Sequence, residues 1–147
     1  HAGRVRVLNN TVERGNRGVF GWPERYWGEA AGIKAHICHG TIGGRMLREH
    51  SEMLGYKAEE IEPYARICER HTGTGLTLEH IVRQDLPLPH KDLIPETIEE
   101  LIVCYADKFF SKTHPERQKT YEQACKSLAK FGEDGLVKFA EWHRMFG

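Results

Sequence analysis

TIEELIVCYADKFF, residues 97–110, is the stretch that decides the fold. Thr97 stands three residues before Glu100, the spacing of a capping box, in which a hydroxyl and a glutamate side chain satisfy the first free N–H groups of a helix. Apolar residues follow on nearly every face, without the strict alternation of a half-buried strand. The spacing predicts a helix over 97–112.

Upstream of it, Tyr64, Ile67, Cys68 and His71 recur at helical spacing after Pro63, which suits a first-turn position. Thr77 is placed to cap a short helix carrying Leu78, Ile81 and Val82. DLPLPHKDLIP, residues 85–95, then makes a proline-punctuated connector that no helix crosses. Before these, a helix is expected from about Gly43, with Met46, Leu47 and Arg48. Downstream, Pro115 is expected to open a helix with Tyr121, Ala124, Cys125, Leu128 and Phe131 on one stripe, stopped by Gly132. A last helix runs from about Asp134 to Phe146. Residues 1–35 differ: they are glycine-rich, hold Phe20, Trp22, Tyr26 and Trp27, and show little periodicity beyond a short strand-like RVRVL. The chain therefore reads as all-α, an irregular loop-rich segment over 1–35 leading into one helical domain over 36–147.

Within that pattern some polar residues are out of place. Asp107 has Val103, Cys104 and Phe110 one turn away, and a carboxylate on an apolar surface needs a cation or a proton. An arginine or lysine from a neighbouring helix is the plain solution; a metal ion is the sharper one. His71 ends an apolar stripe just before Gly73 and Gly75, and His39 precedes Gly40. A core histidine held by hydrogen bonds is the plain reading of each. Two imidazoles and a carboxylate are also the donors a borderline divalent metal takes.

The bulk composition limits partners. Lys and Arg number 21 and Asp and Glu number 21, so no net field draws the chain to nucleic acid or an anionic membrane. No apolar run approaches the roughly 18 residues a membrane span requires. Cys38, Cys68, Cys104 and Cys125 form no CxxC pair, which fits reduced thiols in a cytoplasmic protein. Neither a GxSxG elbow nor a GxxxxGK[ST] loop occurs. The opening His1, in place of methionine, suggests that residues upstream were removed.

HICHGTIGGRMLRE, ICERHTGTGLTLEHI and LPLPHKDLIPETIEELIVCYADKFFSK, in that order, resemble small HD-domain proteins of the His-Asp metal-dependent phosphohydrolase superfamily over about residues 36–147. The resemblance implies an HD-domain-like helical bundle and hydrolysis of a phosphate ester or anhydride on a nucleotide-like substrate. It places His39 and His71 on two intervening metal-ligand histidines of that family, and Asp107 on its late aspartate. His36 and His1 are further candidates, His1 through the HAGRV opening. The cofactor implied is a divalent ion, with iron, manganese, zinc, magnesium and nickel not distinguished, activating water near neutral pH. Lys108, Arg45 and Arg48 are the candidates to hold the substrate phosphate. The family's adjacent His-Asp pair is missing from this chain, so a degenerate HD-like binding or scaffold module is the alternative. The partners expected are a phosphorylated small molecule and no membrane, with homo-oligomer formation left open and nucleic acid disfavoured. Trp22, Tyr26, Trp27 and nearby arginines are the one feature pointing to nucleic acid.

Overall fold

A computed structural model describes residues 35–111 and 114–147 of the chain. Its six helices in these residues are α1 (Ala35–Glu49), α2 (Ala58–Arg70), α3 (Leu78–Arg83), α4 (Ile98–Asp107), α5 (Tyr121–Ala129) and α6 (Glu133–Phe146). Among the described residues no extended strand occurs, only isolated bridges such as Leu76 with Leu93. The all-α expectation holds there. RVRVL and the aromatic cluster at 20–27 lie outside the described residues.

The glycines that the sequence placed before or at the start of the first helix lie inside it. α1 begins at Ala35 and runs through Gly40, Gly43 and Gly44, although each glycine costs a helix about 1 kcal/mol relative to alanine. The compensation is close packing on α2. A Cβ on Gly40 would stand well under 3.0 Å from the carbonyl oxygen of Cys68, and one on Gly44 would stand 2.8 Å from Cγ of Glu69. Pro63 likewise sits inside α2 rather than in its first turn. The helix starts earlier, at Ala58, where the Glu60 carboxylate accepts the backbone N–H of Lys57 at 2.8 Å and so satisfies a free N-terminal donor.

The expected caps are present at the next two helices. Thr77 Oγ1 accepts the N–H of His80 at 3.1 Å, and Thr97 Oγ1 accepts that of Glu100 at 3.2 Å, each hydroxyl standing in for the carbonyl that a first-turn N–H lacks. α4 stops at Asp107, short of the expected 112. α5 starts at Tyr121 rather than Pro115, because Thr120 and Gln123 form a reciprocal capping box with bonds of 2.9 Å and 3.2 Å. Gly132, at φ 113°, makes the break before α6, a backbone conformation that costs glycine alone little. The connector returns to the bundle through paired backbone bonds between Leu76 and Leu93, 2.9 Å and 2.7 Å long.

The buried side chains form three clusters. Cys38, Ile42 and Met46 of α1 meet Ile81, Leu88 and Leu93. Leu47 meets Ile61, Ala65, Ile67 and Cys68 of α2, with Val103 of α4 against them. Cys104 of α4 meets Ala124, Leu128, Phe139 and Trp142 of α5 and α6. α4 thus carries neighbouring residues into two clusters. No helix among the described residues is long and apolar enough to cross a membrane.

Candidate functional site

The polar group that the sequence singled out lies where α1, the end of α2 and the end of α4 meet. His71 caps α2 and is buried, at 4% exposure, while His39 on α1 is half-buried. Their Nε2 atoms are 2.8 Å apart and the rings meet edge to face. The second nitrogen of His71 fixes the direction of this bond: Nδ1–H donates to the carbonyl of Cys68 at 2.7 Å, an oxygen that can only accept. A His71 ring whose one proton sits on Nδ1 presents a bare Nε2 that can accept from Nε2–H of His39.

α4 closes the group from the other side. The Lys108 ammonium donates to the carbonyl of His71 at 2.9 Å and to Oδ2 of Asp107 at 2.8 Å. The Cys104 thiol points at the same His71 carbonyl, 3.6 Å away, and at that of Gly73, 3.4 Å away. A cation and a weak donor thus satisfy carbonyls left over at the C-terminus of α2. Asp107 has a cationic neighbour, as its position demanded, in the adjacent Lys108. The structure brings His39 and His71 into direct contact and links Asp107 to them through Lys108.

The other predicted residues are placed differently. Arg48 lies between two carboxylates: Nε and Nη2 donate to Glu62 at 2.9 Å each, and Nη1 and Nη2 bond the buried Glu69. These hydrogen bonds push the Arg48 pKa up and hold that of Glu62 below the ordinary carboxylate range, since each favours the charged form of both partners. Arg45 is half-buried further along α1. The side chain of His36 and all of His1 lie outside the described residues. Burial pushes the thiols of Cys68 and Cys104 up to about 12 and about 11, the state of inert packing residues.

Two arrangements were not foreseen. Glu100, read only as a cap residue, is buried and faces Arg66 and Arg70 from α2. Burial alone would raise its pKa, but bonds from Thr97 and the Glu96 N–H, with the two guanidinium charges, hold it below the ordinary value. Tyr105 Oη meets His143 Nδ1 at 2.8 Å. Glu100 announced itself only by its spacing from Thr97, and a pair 38 residues apart leaves no local signal.

Comparison with known proteins revises the functional expectations. The chain is 59% identical over 76 residues to a tRNA (cytidine(56)-2′-O)-methyltransferase of Picrophilus torridus, covering 52% of this chain and 19% of that protein. It is 32% identical over 110 residues to the protein of the same name from Thermoplasma volcanium, covering 74% of this chain and 28% of that one. An uncharacterised protein of Methanocaldococcus jannaschii is 43% identical over 77 residues, 52% of this chain and 40% of the relative. The chain thus matches less than half the length of each of these relatives. No family model matches it, and no solved structure does.

The two methyltransferase names overturn the HD-phosphohydrolase assignment, its hydrolase activity and its phosphorylated small-molecule substrate, and they give no support to a degenerate HD scaffold. The divalent-metal expectation falls with them: among the described residues no group of three or more His, Cys, Asp or Glu side chains is placed to hold a metal ion. The exclusion of nucleic acid is corrected as well, since these relatives are named for acting on tRNA. The physical reason for the misreading lies in the motifs. Gly40 and Gly44 in HICHGTIGGRMLRE serve helix packing, and Lys108 in YADK serves a helix end. Such wording reports a helical fold more directly than it reports a reaction. The structure adds a short imidazole pair tied to an ion pair, at the junction of three helices of a chain similar to part of two tRNA methyltransferases.

Proposed function

We propose that this chain works in the 2′-O-methylation of tRNA, as the helical part of a protein of that kind. tRNA is the nucleic-acid partner and S-adenosylmethionine the methyl donor of the reaction. The observation that carries this is the 59% identity over 76 residues with the Picrophilus methyltransferase; the longer match to the Thermoplasma protein supports it.

Within this reading, His39, His71, Asp107 and Lys108 are the polar group proposed to face RNA. His39 is half-buried and Asp107 keeps 38% of its side chain exposed, so the rim of the group is reachable while His71 lies beneath it. Arg45 is the further cation in the proposal. Arg48, held by two carboxylates, enters it as a support for the α1–α2 pair.

The test is a titration of a fluorescently labelled, unmodified tRNA transcript with the full chain. Saturable binding is expected, weakening as salt rises because phosphate contacts release counterions. His39→Ala and Arg45→Ala should each weaken it several-fold with the helical circular dichroism intact. Binding no tighter than to an unrelated RNA hairpin of equal length defeats the proposal.

A further inference from the structure

We infer that the methyl-donor site of this reaction lies outside the described residues 35–111 and 114–147, and that these residues form a helical unit carried beside the methyl-transfer centre rather than containing it. The inference rests on the methylation reading above. An adenosyl methyl donor needs a concave site with a few free polar groups to fix its orientation, and carboxylate or backbone donors to hold its ribose and amino-acid end. Among the described residues, the buried carboxylates and the glycines at the closest backbone approaches are already used within the helical region.

The carboxylates show this first. Glu69 and Glu100 are the buried ones, and each is held by arginine: Glu69 by Arg48, Glu100 by Arg66 and Arg70. A ligand drawing on Glu69 would have to break its bonds to Arg48, and one drawing on Glu100 would have to break its pairing with the largely buried Arg70, costs that a buried pair makes substantial. Asp107 is bonded to Lys108, which also holds the end of α2.

Gly40, Gly44 and Gly75 show it again, while Gly73, two residues beyond His71, is open where a Cβ would stand. Where glycine lets backbone approach a ligand, the space a Cβ would take is filled by that ligand. At Gly40 it is filled by the Cys68 carbonyl, at Gly44 by Glu69, and at Gly75 by Pro95, 2.9 Å away, and Ile94, 3.0 Å away. These close approaches are helix-to-helix or loop-to-connector contacts of the chain with itself. The relatives point the same way: most of the length of both named methyltransferases lies outside the match.

Hydrogen–deuterium exchange of the full chain, with and without S-adenosylmethionine at up to about 1 mM, the upper end of ordinary enzyme working ranges, tests the inference. The expected result is no donor-dependent protection at any amide of these residues, with tRNA still bound in the titration above. If that protection is absent and tRNA also fails to bind, the methylation reading falls and takes the placement of the donor site with it; absent protection with tRNA bound supports the placement. Saturable protection by the donor within α1, α2 or α4 overturns the inference whatever the tRNA result.

Discussion

Gly40 of α1 lies directly against the main-chain carbonyl of Cys68 in α2, so close that a Cβ there would come well within 3.0 Å of the oxygen. That oxygen also accepts the Nδ1–H of His71, so the approach of the two helices and the tautomer of the histidine pair depend on one peptide group. Gly40→Ala is expected to cost about 3 kcal/mol and lower Tm by roughly 10 °C, because backbone cannot retreat as a side chain can. Gly43→Ala is the control. Its nearest foreign atoms are 3.7 Å and 3.8 Å away. Alanine's helix propensity should therefore leave Tm unchanged or raise it by about 3 °C. Thermal melts of the two variants decide it, and equal losses would refute this account of the α1–α2 contact.

The Arg48 bridge makes a second prediction. Removing the guanidinium strands Glu69, whose side chain is 6% exposed, far more than Glu62, which is 47% exposed. Arg48→Ala should destabilise by about 2 kcal/mol, below the full cost of breaking a buried pair because Arg48 itself is partly exposed. The double variant Arg48→Met with Glu69→Leu should recover most of that loss. Urea denaturation of the single and double variants measures both.

Acid should unfold the chain in a defined window. Glu62 and Glu100 both have folded pKa values below the ordinary 4.5. A depressed carboxylate contributes stability that is fully present above the unfolded value and fades as pH falls through the folded one. Stability is thus expected to be flat in these two groups above about pH 5 and to decline below about pH 4.5. Glu100→Gln, which keeps the shape without the charge, should flatten that decline and lower stability at neutral pH. A decline unchanged in this variant would remove Glu100 from the explanation.

The thiols should react in order of access. Cys68 and Cys104, buried and with pKa values pushed up to about 12 and about 11, carry almost no thiolate near neutrality, whereas Cys125 is half-buried. Brief iodoacetamide treatment of native protein should label Cys125 well before these two, with all of them labelled in denaturant. Peptide mass spectrometry reads the order directly.

Much of the helical frame was legible because its signals are local. Thr77 and Thr97 cap where their spacing says they should, and Gly132 breaks the chain where its freedom at positive φ is used. The boundaries that misled were those decided at a distance. Gly40, Gly43 and Gly44 look like loop residues until Cys68 and Glu69 are placed beside them, and Pro63 looks like a helix start until the Lys57–Glu60 cap is seen. At the candidate site, His39 and His71 are in direct contact, although the metal for which the sequence grouped them finds no group of three or more ligands among the described residues. One partner of Asp107 is its own neighbour Lys108, which no periodicity singles out. The chemistry was not legible, because residues that tune helix packing and helix ends supply the same letters as residues that bind ions.

Because Val103 and Cys104 sit side by side on α4 yet belong to separate apolar clusters, one packing against α2 and the other enclosed by α5 and α6, neither end of the bundle can loosen without disturbing the same short helix. Its inner amides should therefore be the last to exchange with solvent and should open only in whole-molecule unfolding. A truncation that removes α5 and α6 would expose Cys104 and weaken the half it leaves behind, so the two halves are expected to melt together as one cooperative unit.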